Sequence, residues 1–132
     1  MADIIKSFPV RSSPKEKSHK LKCYFDSGSP RTFVKYSAVA DMSNLAPLST
    51  EAKFYGLGNG GFYATHFIYF EVKLLDIWVM YLCYVVPDDV LGEEYDVLLG
   101  HDFMQIYDIQ LKPRQREVVI RREALNLALK VR

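Results

Sequence analysis

The sequence has almost no net charge, few cysteines and histidines, and no apolar run long enough to cross a bilayer. Each shortage removes a class of function. Seventeen basic side chains against 16 acidic ones leave +1, too little to hold an anionic polymer or a charged lipid surface. Neither nucleic acid nor a membrane is therefore expected as a partner. The two cysteines, Cys23 and Cys83, lie in apolar, strand-like stretches. They read as a pair of buried reduced thiols, not as a disulfide framework or a metal site. His19, His66 and His101 are scattered without ligand spacing, so no metal and no cofactor is expected. The longest apolar run, Ile77 to Val86, is too short for a membrane span and is rich in β-branched and aromatic residues. The opening Met1-Ala2-Asp3-Ile4-Ile5-Lys6 lacks the apolar stretch of an export signal. These absences set the expectation of a soluble protein in a reducing compartment, the cytoplasm.

What is present is an ordinary globular composition, 49% hydrophobic and 25% charged over 132 residues. That length suits one domain with a real core. We expect a single domain over 1–132, with its core at about 4–121 and a C-terminal extension at 122–132. Ile4 to Val10 and Leu21 to Phe25 read as strands, separated by the polar loop Arg11 to Lys20. Arg31 to Ala40 reads as a strand followed by a helical turn, and Asn44 to Thr50 as a loop. Lys53 to Ala64 has two aromatic strand segments around a tip rich in glycine, where Asn59-Gly60 signals a two-residue hairpin turn. Thr65 to Val72 and Asp76 to Val86 form a long antiparallel pair around Lys73-Leu74-Leu75. His66 and Trp78 within it read as packing residues. Pro87 to Glu94 is an acidic, solvated loop. His101 to Ile106 can start a helix, with Asp102 favourably placed against its dipole. Asp108 to Leu111 and Glu117 to Ile120 suggest a hairpin. Glu123 to Arg132 leans to helix by propensity, although its leucines alternate like a strand.

Two short stretches carry chemistry. Phe25-Asp26-Ser27-Gly28-Ser29 follows the strand Leu21 to Phe25, so a tight turn would hold one carboxylate at a fixed point beside free peptide groups. Further along, Tyr95-Asp96-Val97-Leu98-Leu99-Gly100-His101-Asp102-Phe103 supplies a hydrophobic pair, a glycine and a helix start. Together these resemble the two halves of the aspartic-protease signature, as found in retropepsins, the single-domain proteases of retroviruses and gypsy-type retrotransposons. The resemblance implies an all-β fold: an acid-protease barrel with a glycine-rich flap hairpin and one or two short helices.

Carried over position by position, the resemblance makes Asp26 the catalytic aspartate. Ser27 takes the place whose hydroxyl cross-bonds the two active-site loops, and Gly28 the place whose carbonyl receives substrate backbone. Ser29 and Pro30 fall on the substrate side, with Gly58, Asn59 and Gly60 at the flap tip. Leu98, Leu99 and Gly100 match the signature that braces the loop. Ser29 stands where retroviral enzymes usually have alanine; an extra hydroxyl beside the carboxylates would favour the ionised form and lower the operating pH. Tyr55, Leu57, Val34 and Val85 are candidate pocket walls, with plain core positions as the alternative.

Carboxylate chemistry on a peptide bond needs two such groups sharing a proton. Asp3, Asp41, Asp76, Asp88, Asp89, Asp96, Asp102 and Asp108 are never followed by Ser-Gly or Thr-Gly. One chain thus supplies one carboxylate, and the implied enzyme is a homodimer acting on an extended peptide or polyprotein. The alternative is a catalytically silent dimerisation or peptide-binding module of the same fold. Pro30 and His101 stand where many retroviral proteases pair an acid with an arginine to support the dimer. That ion pair cannot form here, so the Asp108–Ile120 hairpin and the leucine-rich tail are the candidate substitutes.

Overall fold

Alternation of buried and more exposed positions along the longest strand, Gly61–Leu74, sets the frame of the molecule. The computed structural model describes residues 3–56 and 60–130. Its strands are β1 (Ile5–Arg11), β2 (His19–Phe25), β3 (Phe33–Lys35), β4 (Ala46–Tyr55), β5 (Gly61–Leu74), β6 (Ile77–Val86), β7 (Val97–Leu99), β8 (Gln110–Lys112) and β9 (Glu117–Val119). Three helices are interspersed: α1 (Tyr36–Val39), α2 (His101–Ile106) and α3 (Arg122–Lys130). The main sheet runs β1-β2-β7-β3-β6-β5-β4, and β1 also pairs with β5. That extra pairing closes six strands into a barrel and leaves β4 as a projecting edge. The architecture is all-β, as expected.

Ile68, Phe70, Val72 and Leu74 of β5 point inward with Val79, Cys83 and Val85 of β6, each at 1% exposure or less. Each such side chain contributes about 1.5–3 kcal/mol through removal from water. Cys23 and Cys83 are both free and buried, and burial pushes both thiols up from their ordinary pKa. A second cluster, built on Phe33, Phe62, Tyr95 and Leu98 with Phe54 and Tyr84 against it, fills the space beneath the β4–β5 hairpin.

Several boundaries differ from the sequence reading. The Asn44 to Thr50 segment is not all loop, because β4 begins at Ala46. Its Pro47 and polar residues suggested a break, but an edge strand tolerates a residue without an amide donor. The register does shift there, between Pro47 and Ala52. The β5–β6 turn is tighter than expected: Leu74 pairs with Ile77, leaving Leu75 and Asp76 as the turn with Leu75 at φ 57°. Tyr55 pairs with Gly61 at the tip of the β4–β5 hairpin, and the expected Asn59-Gly60 turn falls partly outside the described residues. His19 starts β2 instead of lying in a loop. Trp78 packs under the Arg11 guanidinium, which sits 3.8 Å from its ring centroid, and the His66 ring lies 5.5 Å from that of Tyr36. The tail is helical, and Leu125 of α3 is fully buried in the main cluster. The apolar core therefore extends beyond residue 121. Arg122 fixes α3 to the β5–β6 turn through Asp76 at 2.6 Å.

Candidate active site

β2 and β7 run parallel, with Phe25 opposite Leu99, so the chain leaves β2 beside the end of β7. There the Asp26 amide donates to the Leu99 carbonyl at 3.0 Å. A turn closes at once, with Ser29 N–H donating to the Asp26 carbonyl at 3.1 Å. The Gly28 amide donates to Asp26 Oδ1 at 3.0 Å, which orients the carboxylate through its own turn. Asp26 is half-buried, and its carboxylate forms no ion pair among the described residues.

Gly100 locks this turn to the rest of the barrel. A Cβ there would come within 2.2 Å of the Arg31 carbonyl oxygen and 2.7 Å of the Ser29 carbonyl oxygen. Only glycine allows that approach. The next amide, of His101, donates to the Ser29 carbonyl at 2.7 Å, while the Gly100 amide donates to Thr32 Oγ1 at 3.0 Å. Thr32 in turn donates to Asp102 Oδ1 at 2.8 Å, which also accepts the Phe103 amide at 2.8 Å. The other Asp102 oxygen accepts the Tyr81 hydroxyl. Burial and that bond to Asp102 hold the Tyr81 pKa well above its ordinary value. The Asp26 loop, α2 and β6 are thereby joined through one carboxylate. Neither Thr32 nor Tyr81 stood out in the sequence, and Asp102 was read only as a helix-dipole residue. A threonine and an aspartate 70 positions apart give no local signal.

Asp26, Gly28, Ser29, Pro30 and Arg31 line an open cavity of about 220 Å³ together with Phe33, Phe54, Tyr55, Gly56 and Phe62. One wall is aromatic: the Phe33 ring lies 5.1 Å from Phe54 and 5.3 Å from Phe62. Tyr55 thus lines the cavity, as expected of a pocket wall. Val34 and Val85 do not; each is at most 1% exposed in the main core, and Val85 borders a different cavity beside Tyr36 and Asp88. Side-chain alternation decides this, since Phe33 faces the groove and Val34 must then face away. Leu57, Gly58 and Asn59 lie outside the described residues. Gly60 is exposed at φ +90°.

Ser29 borders the groove beside Asp26, but its hydroxyl is turned away from the carboxylate. Its hydroxyl donates to the Arg31 carbonyl at 2.8 Å, so its one proton closes the loop and is not offered to Asp26. The anticipated effect on the operating pH loses its structural basis. Ser27 is exposed and borders a separate cavity of about 440 Å³ with His101, Met104 and Gln105 of α2 and with Asp108, Ile109, Leu111 and Pro113 beyond it. Behind the turn, Tyr24 and Tyr95 pack with ring centroids 4.9 Å apart. Partial burial, followed by the Asp26 charge, pushes Tyr24 up to about 12. No group of His, Cys, Asp and Glu suited to a metal ion occurs among the described residues, and no helix there is long and apolar enough to cross a membrane.

No family model matches the sequence, and no curated protein matches it. Solved structures do match. The retroviral protease-like domain of Ddi1 from Leishmania major aligns with a TM-score of 0.59 at 14% identity, over 88% of this chain and 86% of that one. EIAV protease complexed with the inhibitor HBY-793 aligns with a TM-score of 0.62 at 12% identity, over 84% of this chain and 93% of that one. Identities this low speak to architecture alone, and the architecture is plain: the chain has a retropepsin-like fold.

Proposed function

We propose that the protein is an aspartic endopeptidase of retropepsin type, whose reaction centre is completed by the Asp26 of a second, twofold-related subunit. One observation carries this reading. A single half-buried carboxylate, without a cationic partner among the described residues, is fixed by turn and barrel hydrogen bonds at the base of an aromatic groove. Beyond accepting the Gly28 amide of its own turn, this carboxylate has no ion-pair partner among the described residues to explain it.

In the dimer the two Asp26 groups face each other and share one proton, since like charges so close cannot both stay ionised. The ionised member takes a proton from the water between them, and the protonated member donates to the scissile carbonyl oxygen. The turn supplies pre-orientation, because Gly28 N–H fixes one carboxylate oxygen before substrate arrives. Backbone groups at Gly28 and on the β4–β5 hairpin bind the extended peptide, and the hairpin closes over it as a flap. The aromatic wall takes a large apolar side chain. Ser27 and the cavity beside it face the partner subunit, next to the Asp108–Ile120 hairpin. The presence of the inhibitor HBY-793 on EIAV protease, a structure of the same fold, supports reading the groove as a ligand site.

The test is cleavage of an unstructured protein between about pH 4 and 7. Activity blocked by a pepstatin-like inhibitor and abolished by Asp26→Asn is the expected result. A well-folded dimer that binds peptides but cleaves none would instead make this a silent binding module.

A further inference from the structure

We propose that Arg31 makes the groove selective for peptides with an acidic side chain on each side of the scissile bond. The inference rests on the protease reading above and adds the chemistry of the substrate to it.

Arg31 lies between the Asp26 turn and β3 and lines the same cavity as Asp26. Its main chain is committed inward: the carbonyl accepts the Ser29 hydroxyl and packs against Gly100. Thr32, the next residue, turns its side chain into the barrel toward Gly100 and Asp102. Arg31 itself is exposed and borders the groove. Arg11, Arg121 and Arg122 each hold a carboxylate, whereas Arg31 forms no ion pair among the described residues. It does not pair with Asp26 either.

The other groups around it make this cation selective. Phe33, Phe54 and Phe62 are neutral and apolar, and Asp26 is the reacting group. On β4 the neighbouring cation Lys53, 5.3 Å from the Tyr55 ring, has the same sign. Behind the loop the Arg31 charge is also felt at Tyr81, the hydroxyl bonded to Asp102, without an ion pair to that carboxylate. A peptide threading this groove meets an aromatic wall and a planar five-donor fork that matches a carboxylate. Twofold symmetry sets a second Arg31 at the other end of the groove, so acidic side chains are favoured at equal distances on both sides of the cut bond.

The experiment uses matched unstructured peptides with an aromatic residue at the cut site and Glu, Gln or Lys at each flanking position in turn. Cleavage is measured with the wild-type full chain, and binding with Asp26→Asn by fluorescence anisotropy. At one position on each side, Glu should exceed Lys by about three- to tenfold in kcat/KM, with Gln between and added salt narrowing the gap. Arg31→Glu should invert the order and Arg31→Gln should flatten it, whatever the overall rate, because only ratios are read. Cleavage with no Glu-over-Lys order, or an order unchanged by Arg31→Glu, overturns the role of Arg31 and leaves the protease reading intact. Binding that keeps the order without any cleavage does the reverse. Peptides that are neither bound nor cut sink both.

Discussion

Thr32 Oγ1 donates to Asp102 Oδ1 at 2.8 Å while accepting the Gly100 amide at 3.0 Å. One hydroxyl therefore satisfies a buried backbone donor and a carboxylate on the following helix. Removing it strands both, and an unmade buried bond costs more than a made one contributes. Thr32→Val, which keeps the shape, should lower stability by about 2–3 kcal/mol, read from urea denaturation. Thr32→Ser should recover most of that loss. Equal stability in Thr32→Val and the wild type would show that the hydroxyl does not brace the loop.

Gly100 makes a harsher test of the same junction. Its missing side chain is what lets the Arg31 and Ser29 carbonyls close over it. Gly100→Ala must push two backbone segments apart, with no flexible side chain to give way. The expected cost is about 3 kcal/mol or more, with a lower melting temperature and, on the protease reading, loss of activity even in molecules that remain folded. A variant that melts with the wild type would contradict the close packing.

Much of this was legible beforehand, and the reasons are local. Asp26-Ser27-Gly28 and Leu98-Leu99-Gly100 are contiguous motifs that stand out in one dimension by their resemblance to the retropepsin signature, and the structure brings the two segments together. The long pair carrying Ile68, Phe70 and Val72 was equally visible from its aromatic and β-branched content, although Leu74 was placed in the turn and in fact pairs with Ile77. What could not be read depended on partners distant in sequence. The Thr32–Asp102–Tyr81 links span separations of 70 and 21 residues. The partner of the Ser29 hydroxyl could not be read, because its acceptor is the Arg31 carbonyl, a choice that only the turn geometry makes. Val34 takes the core alternative left open for it, because neighbouring strand residues face opposite ways and Phe33 faces the groove. In the tail, propensity leaned to helix and the structure has one, docked by the burial of Leu125.

That burial can be tested directly. Leu125 is fully buried among core residues, and the helix carrying it is held by Arg122 on Asp76. Leu125→Ala should cost about 2–5 kcal/mol. Arg122→Ala should cost far less, since Asp76 and Arg122 are both well exposed and such pairs contribute about 0–1 kcal/mol. The reverse ranking in thermal denaturation would mean that charge rather than apolar contact docks the tail.

Tyr24 reports on Asp26 without any chemistry taking place. Partial burial is the larger cause of its rise to about 12, and the Asp26 charge the next. A phenol whose folded pKa exceeds its unfolded value gives stability that is complete below the ordinary 10.0 and is lost as pH rises through the folded value. Stability should therefore decline from about pH 10 toward 12. In an ultraviolet titration, Asp26→Asn should let Tyr24 ionise at lower pH, while Tyr24→Phe identifies the signal. An unmoved titration would place the carboxylate farther from Tyr24 than the fold requires.

A shared reaction centre makes a numerical prediction about mixtures. If each subunit supplies one carboxylate, a dimer with one Asp26→Asn chain has lost its proton-sharing partner and is inactive, whichever chain is altered. Refolding equal amounts of wild-type and Asp26→Asn chains together gives random pairing, in which only about one dimer in four is fully wild type. Activity per total protein should fall to roughly a quarter of the pure wild type rather than to roughly half. The same mixture combined only after folding, and assayed before subunits exchange, should give the half value. Dimer formation by the variant must be checked by sedimentation, because a variant that stays monomeric would also leave half. A half value from mixed, demonstrably dimeric protein would mean that each barrel acts alone, and a single carboxylate cannot be both the base for water and the acid for the carbonyl oxygen.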